Sequence, residues 1–546
     1  MTLDVEKRIQ RTRKFLGDRG IDYLLVNSTD EFLVTLNDVR KNSRYFLTQF
    51  RGSTGDALLG NDCLWLFVDG RYHAQAEQEI NKSLVSLCKL RIEDNFVEEL
   101  VKKISPHSSI GVVASKVPLK FYEQLRCLLD NKDVRIVPLG TDPVAQFYTS
   151  DRHTLQSPIY RIDSTIATES ADEKFKQFTS ALPFGSAYLE TNLENIAYFT
   201  NLRHFGIANS ATFRAKLVIS KARAYLFTNE KIPPIGTYFK VLPLSELKKF
   251  TQKKKITYSP CTINWADFIG LRGGAISYEL DRIAMKKCIK TNGEITHYRS
   301  IFRRADMAMA AMEKRIHKSI GQSEKMLSDA VEREFCKCGA RSLSFPTILA
   351  IGSNAAIVHH VNPSRNVYLK NGDFVLLDCG AYFDGGYATD TTRTFIVGEP
   401  NALQQKVYTT VLKMQINCYH YPVDQNTTGA TLDGVAREIA EKSGLMDEGF
   451  HFNHSLGHGI GIGVHESPPF LSPRSDDLLI PNMTFTIEPG LYREDFGGVR
   501  LENSVLMAYE NGKHNMQSLS RAKFQKSAID FSLLTDKEKH MLKEWI

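Results

Sequence analysis

The chain has 546 residues, of which 42% are hydrophobic and 24% are charged, and its formal net charge is +7. This composition is typical of a globular protein of two or three domains and excludes a mostly disordered chain. Because the net charge is small, the lysines at Lys248, Lys249 and 253–255 form no long basic stripe, and no apolar run reaches the length of a membrane helix, we expect neither nucleic acid nor a membrane as a partner.

The first part of the chain alternates helical and strand patterns. The predicted elements are a helix carrying Val5, Ile9 and Leu16, a strand over residues 23–26, a hairpin over residues 57–68 with its turn at residues 60–62, and a helix after residues 69–72. Alternation of this kind predicts an α/β fold. We therefore predict a first α/β domain over residues 1–150.

A second α/β domain is predicted over residues 151–285. Its predicted elements are a helix that begins near Ser164 and carries Phe175 and Phe178, and strands over residues 186–190 and 215–220. Residues 248–259 are polar and poorly patterned, and a boundary is expected between Gly270 and Lys290. A long helix over residues 293–320 then opens a third domain, residues 286–546.

The cysteines give no sign of disulfide bonds. They are nine, an odd number, and Cys336 and Cys338 have the wrong spacing for a zinc knuckle. We expect reduced thiols in a cytoplasmic protein.

The third domain contains two acidic residues on a predicted pair of strands. Residues 374–378 form a buried strand that ends in Asp378, residues 384–386 form a turn, and residues 387–396 return as a strand that carries Asp390. An acidic surface hairpin is the alternative. However, Asp378 follows four apolar residues, and buried carboxylates need a partner. This pattern therefore favours a pocket in which cations balance the two carboxylates.

A glycine-rich stretch with three histidines follows, and then two further acidic strand ends. The histidines are His454, His458 and His465, and the acidic residues are Glu488, after an apolar strand, and Glu502, two residues after Arg500. Four carboxylates with one imidazole suit a pair of divalent ions, especially manganese, better than a thiolate-rich zinc site. The chemistry indicated is metal-assisted hydrolysis.

These motifs resemble those of the pita-bread metallopeptidases, the group of methionine aminopeptidase, prolidase and aminopeptidase P. The matching segments are LLDCGAYFDGGYATDTTRTF, HSLGHGIGIGVHESP, FTIEPG and GGVRLEN. Residues 50–55, 65–72 and 193–203 also resemble the two N-terminal domains of three-domain aminopeptidases P, and residues 531–545 their helical extension. The resemblance implies an α/β (α+β) chain in which two creatinase-like domains precede a pita-bread catalytic domain.

The resemblance also implies a role for each matching residue. The implied ligands of two divalent metal ions, expected to be Mn²⁺, are Asp378, Asp390, His458, Glu488 and Glu502. Glu488 would also act as the general base. His359 and His465 would donate hydrogen bonds to the substrate, with His360 as the alternative to His359. His454 would support the metal site, and Arg500 would either bind a substrate carboxylate or hold a carboxylate of the protein.

By this resemblance, the expected substrates are peptides with proline at the second position, and the expected assembly is a homodimer. Prolidase, which cuts only Xaa-Pro dipeptides, is the alternative enzyme, but prolidases have one N-terminal domain and this chain has room for two. A methionine aminopeptidase would not have two large preceding domains. A non-catalytic binding module would have lost metal ligands.

Two positions depart from the family pattern. Asp378 and Asp390 are twelve residues apart, whereas eleven is usual in the family. We expect the additional residue to enlarge the turn at residues 383–386, because a shift in strand register would point Asp390 away from the pocket. The second departure is Gly293, where the family has a small or acidic residue.

Overall fold

A computed structural model describes residues 2–35, 39–149, 157–252, 254–271, 276–277 and 281–546. The chain divides into two compact units. The first unit comprises Met1–Thr154, Ala171–Thr200 and Arg214–Asp281, and the second comprises Leu155–Ser170, Asn201–Phe213 and Arg282–Ile546. The predicted boundary at residue 150 lies outside the described residues, as do residues 272–275 and 278–280 of the second boundary region. The division into three domains stays a prediction.

The first sheet of the first unit contains the elements predicted for residues 1–150. Its helices are α1 (Thr2–Gly17), α2 (Ser43–Thr48), α3 (His73–Glu79), α4 (Phe96–Val101) and α5 (Leu119–Asp130). Its strands are β1 (Tyr23–Val26), β2 (Asp56–Leu59), β3 (Leu64–Val68), β4 (Ser86–Lys89), β5 (Ser109–Val113) and β6 (Arg135–Leu139). The strand order is β4-β3-β2-β1-β5-β6, and the predicted β2–β3 hairpin is confirmed as an antiparallel pair.

Both faces of this sheet are buried. Successive side chains of a strand point to opposite faces, so Leu24 and Val26 belong to one hydrophobic core and Leu25 to another. The core around Leu25 also contains Leu189 and Val218 from the second sheet of the unit. The two sheets of the first unit therefore share apolar packing.

The second sheet follows along the chain, together with a short strand pair of the second unit. In order, the elements are β7 (Tyr160–Arg161), α6 (Ala171–Ser180), β8 (Ser186–Glu190), α7 (Leu193–Thr200), β9 (Leu202–Arg203), β10 (Lys216–Ser220), β11 (Ala224–Phe227), β12 (Phe239–Leu242), α8 (Leu247–Thr251), β13 (Lys255–Tyr258), α9 (Trp265–Leu271) and β14 (Ile276–Ser277). The sheet order is β12-β11-β10-β8-β13-β14, and β7 pairs with β9.

The predictions for this region are mostly confirmed. The helix that carries Phe175 and Phe178 is α6, which begins at Ala171 rather than near Ser164, and the two predicted strands are β8 and β10. The absence of pattern over residues 248–259 was misleading, because α8 and β13 lie there. Ile256 of β13 is buried between polar neighbours, so burial in the shared core stabilises a strand that local pattern did not indicate. Lys253 lies outside the described residues.

The second unit contains the long predicted helix and several antiparallel sheets. Its helices are α10 (Arg282–Cys288), α11 (Asn292–Ile316), α12 (Glu324–Lys337), α13 (Ala402–Tyr419), α14 (Gly429–Lys442) and α15 (Asp536–Met541). Its further strands are β15 (Ser342–Leu343), β16 (Ile348–Ile351), β17 (Phe374–Cys379), β18 (Ala381–Tyr382), β19 (Thr391–Ile396), β20 (Gly457–Gly459), β21 (Glu466–Leu471), β22 (Thr484–Ile487), β23 (Gly490–Arg493), β24 (Gly497–Arg500), β25 (Asn503–Glu510) and β26 (Lys513–Ser518).

The pairing of these strands brings together the acidic strand ends. One sheet has the order β16-β17-β19, another has the order β21-β20-β22-β25-β26, and β23 pairs with β24. A large hydrophobic core contains residues of α13, α14, β17, β22 and β25, and it extends to Trp545. The sheets that carry the predicted site residues are thus supported by one continuous core.

The long helix α11 begins at a cap that the sequence supplies. Thr291 accepts a hydrogen bond from the Glu294 backbone N–H, and the Glu294 carboxylate accepts one from the Thr291 N–H. Gly293 lies beside this cap, where a Cβ atom would come within 2.6 Å of the Thr165 carbonyl oxygen. The glycine that departs from the family pattern thus permits a close approach between two backbone segments.

Two further expectations concern membranes and disulfides. Among the described residues, no helix combines the length and the apolar character required to cross a membrane. All nine cysteines are free thiols, as expected from their number and spacing.

Candidate metal centre

Asp378 and Asp390 lie at the same end of the β17–β19 pair. Asp378 is the fifth residue of β17 and pairs with Thr392, and Asp390 immediately precedes β19. Strand β19 begins at Thr391, so the prediction of a strand from residue 387 was wrong at that end. Both carboxylates are buried, which excludes the alternative of an acidic surface hairpin.

The turn between these two aspartates contains Gly385 and Gly386, whose φ angles of 94° and 63° glycine adopts without strain. The register of β17 and β19 is continuous from the Phe374–Ile396 pair to the Cys379–Thr391 pair, which agrees with the expectation that the additional residue enlarges the turn. Asp390 therefore still points to the same pocket, where its Oδ2 lies 3.8 Å from His458 Nε2.

Glu488 and Glu502 lie across from each other at the end of another antiparallel pair. Ile487 of β22 pairs with Asn503 of β25, so the residue after Ile487 and the residue before Asn503 are neighbours. A hydrogen bond from the Glu502 N–H to the Thr392 carbonyl connects this pair to β19. The four acidic strand ends predicted from sequence are thus joined through two sheets.

His458 provides the imidazole of the cluster. Its Nδ1 lies 3.1 Å from the Gly459 carbonyl oxygen, so in the neutral ring Nδ1 carries the proton and Nε2 has the lone pair. Nε2 lies 3.4 Å from Glu488 Oε1. One ligand atom each from Asp390, His458 and Glu502 lie within 4.8 Å of one another. In this tautomer the Nε2 lone pair can serve as a metal ligand.

Several carboxylate oxygens of the cluster have no hydrogen-bond donor. Asp378 Oδ1, Asp390 Oδ1 and Glu502 Oε1 are all buried and have no hydrogen-bond partner. Burial raises the pKa of Asp390 and Glu502, and repulsion between the clustered carboxylates raises both further. Buried acceptors of this kind are costly unless a cation compensates them. The donor set, oxygen atoms with one imidazole, therefore fits divalent ions such as manganese.

The buried Arg500 side chain forms an ion pair with Asp378, one of these carboxylates. It is 1% exposed, and its Nη2 donates to Asp378 Oδ2 at 2.7 Å. Its Nη1 donates to the Tyr492 hydroxyl at 2.9 Å, and that hydroxyl lies 2.9 Å from His454 Nε2. Burial lowers the pKa of His454 to about 4, so the ring is neutral and accepts the Tyr492 proton. The contacts described for Arg500 are with protein groups, and its expected role toward a substrate stays a prediction.

The neighbouring histidines His359 and His360 have different environments. His360 Nε2 lies 2.9 Å from the fully buried Glu324 carboxylate, which also accepts hydrogen bonds from the Ile351 and Ser364 backbone N–H groups. His360 thus belongs to a network that stabilises the fold. The carbonyl of Val358, next to His359, accepts a hydrogen bond from Arg500 and so ties this segment to the cluster. The described contacts thus give His360 a structural role, and the role of His359 toward a substrate stays a prediction.

His465 is exposed, and its ring packs edge-on against that of His458 with 4.2 Å between the ring centroids. The structure therefore places it beside the cluster, as the sequence predicts.

The supporting residues Tyr492 and Thr392 were not predicted. Thr392 donates to Glu502 Oε2 at 2.8 Å, but an isolated threonine or tyrosine on a strand carries no local signal of such a role.

Three sequence families match successive parts of the chain. Residues 296–508 match metallopeptidase family M24. Residues 8–143 and residues 151–294 each match a Creatinase/Prolidase N-terminal domain family. The matched segments reach from residue 8 to residue 508, and the M24 segment contains the acidic cluster.

Individual relatives are similar over different lengths. The protein named "Probable Xaa-Pro aminopeptidase P" of Coprinopsis cinerea is 27% identical and aligns with 100% of this chain and 94% of its own. The structure of X-prolyl aminopeptidase from Caenorhabditis elegans, described as a cytosolic enzyme with a di-nuclear active site, has a TM-score of 0.89 at 23% identity and covers 99% of this chain and 96% of its own. Xaa-Pro dipeptidase from Bacillus anthracis has a TM-score of 0.56 at 28% identity and covers 65% of this chain and 99% of its own.

Proposed function

We propose that this protein is a metal-dependent Xaa-Pro aminopeptidase, on the premise that its residues 296–508 match metallopeptidase family M24. It would hydrolyse the first peptide bond of peptides whose second residue is proline. The observation that carries the proposal is the match to the relative named "Probable Xaa-Pro aminopeptidase P" over 100% of this chain and 94% of that protein.

Prolidase activity is the second candidate, because an Xaa-Pro dipeptidase is also similar to this chain. That similarity covers 65% of the present chain and nearly all of the dipeptidase, so about a third of this chain has no counterpart there. At the level of sequence, the two enzymes are distinguished by the second N-terminal α/β domain, which prolidases lack. The unmatched third of this chain therefore favours the aminopeptidase.

Divalent ions, which we propose to be two Mn²⁺, would be held by Asp378, Asp390, His458, Glu488 and Glu502. The unpartnered buried oxygens and the free lone pair of His458 Nε2 support this set. Such ions, when bound, would polarise the scissile carbonyl group and lower the pKa of the attacking water.

The side chains of the protein would then perform the proton transfer and the orientation. Glu488, whose Oε1 lies beside His458, would take a proton from the attacking water. His359 and His465 would donate hydrogen bonds to the substrate carbonyl oxygens and stabilise the negative charge that develops there. Arg500 would hold Asp378 in place, since it already donates to that carboxylate. We also propose a cytosolic location, as described for the relative from C. elegans.

Hydrolysis of matched peptides tests the proposal. The purified protein is stripped of metal with a chelator, dialysed and assayed with Xaa-Pro-Xaa tripeptides and Xaa-Pro dipeptides that share the first residue. With Mn²⁺ added, we expect the tripeptide to be cut with the higher kcat/KM, because contacts beyond proline help to position the scissile bond. Replacement of proline by alanine should abolish most of this activity. A clear preference for the dipeptide would favour prolidase, and full activity without metal would refute both candidates.

A further inference from the structure

The loop that joins His458 to His465 is held at several points along its backbone. The Gly461 carbonyl accepts a hydrogen bond from the Ala388 N–H at 2.8 Å, and the Ile462 carbonyl accepts one from the Tyr382 hydroxyl at 2.9 Å. The loop therefore has a fixed course from the metal centre outward. His465 lies at the far end of this loop, and its position depends on the contacts of the residue that follows it.

Glu466, the residue after His465, is buried in an ionic cluster. Its side chain is 3% exposed, and its Oε1 lies 3.0 Å from Lys287 Nζ and accepts a hydrogen bond from the Gly463 N–H at 3.0 Å. Lys290 Nζ lies 3.9 Å from Oε2. Burial alone would raise the pKa of Glu466, but the two lysines and the Gly463 N–H outweigh that effect and hold the pKa below its usual range.

The two lysines are themselves buried, at 7% and 2% side-chain exposure. Lys287 lies on α10, and Lys290 donates to the carbonyls of Lys287 and Cys288 just beyond that helix. Buried ion pairs usually contribute little net stability compared with apolar residues of the same size, because desolvation of the charges offsets their attraction. Such a pair can still fix the geometry of the groups that it joins.

The space around the Glu466 carboxylate shows how closely the loop is fitted to it. A Cβ atom on Gly461 would lie 2.1 Å from Glu466 Oε2, so the loop backbone passes directly over the carboxylate. His465 is the neighbour of Glu466 in sequence, and its ring contacts that of His458. A displacement of Glu466 would therefore move the ring that faces the metal centre.

We propose that the Lys287–Glu466 ion pair is a positioning device that sets the orientation of His465 over the candidate metal centre. The proposal rests on the proposed function, in which His465 donates to a substrate carbonyl. Lys287 and Glu466 touch neither substrate nor metal in this scheme and act only through His465. Misplacement of a donor by about 1 Å can reduce catalysis up to about 100-fold, so a modest shift of the ring is sufficient to matter.

The test is a double-mutant cycle on the full-length, manganese-loaded protein. Lys287→Met is introduced alone and together with His465→Ala, and kcat, KM and melting temperature are measured for each variant. Lys286→Met is the matched control, because Lys286 lies on the same helix and forms a 2.7 Å ion pair with Glu169, at 35% and 28% side-chain exposure. If Lys287→Met does not fold, the Lys287→Met/Glu466→Gln pair replaces it, since removal of both charges leaves fewer buried groups uncompensated.

We expect Lys287→Met to lower kcat/KM by about 10-fold or more, mainly through kcat, and Lys286→Met to leave it unchanged. In the His465→Ala background, the same Lys287 substitution should change kcat/KM by less than about twofold while it still lowers the melting temperature. Equal factors in both backgrounds, or an unchanged kcat/KM in the single variant, would overturn the proposal.

A second measurement separates this inference from the proposed function. In a crystal structure of the Lys287→Met variant, the His465 ring should leave its position beside His458, with the 4.2 Å centroid distance as the reference. A wild-type protein inactive on every Xaa-Pro peptide would refute the proposed function alone. The ring position would then decide whether the ion pair orients His465, and an unmoved ring would overturn the inference.

Discussion

Replacement of Arg500 by methionine tests whether this residue is a structural support of the acidic cluster. Arg500 is 1% exposed and donates to Asp378, Tyr492, Thr392 and the Val358 carbonyl. Methionine is unbranched and uncharged, so the substitution removes these bonds while it keeps the apolar stem of the side chain. It leaves the Asp378 carboxylate buried and without its cationic partner.

The expected cost follows from this burial. Removal of one partner of a buried ion pair lowers the free energy of unfolding by about 3–5 kcal/mol, because the remaining charge is uncompensated. Arg493→Met on the neighbouring strand is the control. Arg493 pairs with Asp495 at 2.7 Å, but the two side chains are 25% and 73% exposed. An ion pair in which one partner is this exposed contributes about 0–1 kcal/mol.

Tryptophan fluorescence can report on the second unit alone. Of the three tryptophans, Trp65 and Trp265 belong to the first unit and Trp545 to the second, where it is 4% exposed. In a Trp65→Phe/Trp265→Phe background, urea unfolding followed through Trp545 gives the stability of the second unit for both arginine variants, without metal and with Mn²⁺. The added cation should recover part of the loss, since it compensates Asp378. Equal effects of the two substitutions, within about 1 kcal/mol, would refute the structural role of Arg500.

Three further predictions concern catalysis and assembly. Glu488→Gln should lower turnover by about 10²- to 10⁴-fold with the fold retained, because it removes the proposed base; activity close to wild type would contradict that assignment. His359→Ala should lower turnover without a loss of stability. His360→Ala should lower the melting temperature because it breaks the contact with Glu324. The reverse result would show that His360, and not His359, acts on the substrate. The protein should be a homodimer, and light scattering that gives the 61.7 kDa monomer mass at micromolar concentration would contradict this.

Local sequence patterns determined most of the elements that carry the site. The apolar run that ends in Asp378 predicted β17, and the run before Glu488 predicted β22, because a buried strand needs little more than consecutive apolar residues between turns. The order of motifs also indicated the metallopeptidase family, which the M24 match supports. The strand β13 was not predicted from the sequence, because its polar residues are compatible with a strand only through burial against a neighbouring sheet.

The partners within the site were decided by tertiary structure. Arg500 and Asp378 are 122 positions apart in sequence, and nothing near either residue indicates that one donates to the other. His359 and His360 are adjacent and chemically identical, yet the buried carboxylate of Glu324 engages only His360 among the contacts described. Periodicity and propensity act over a few residues, so they place a side chain on an element. Which side chains meet depends on how distant elements pack, and that packing follows from the burial of the whole core.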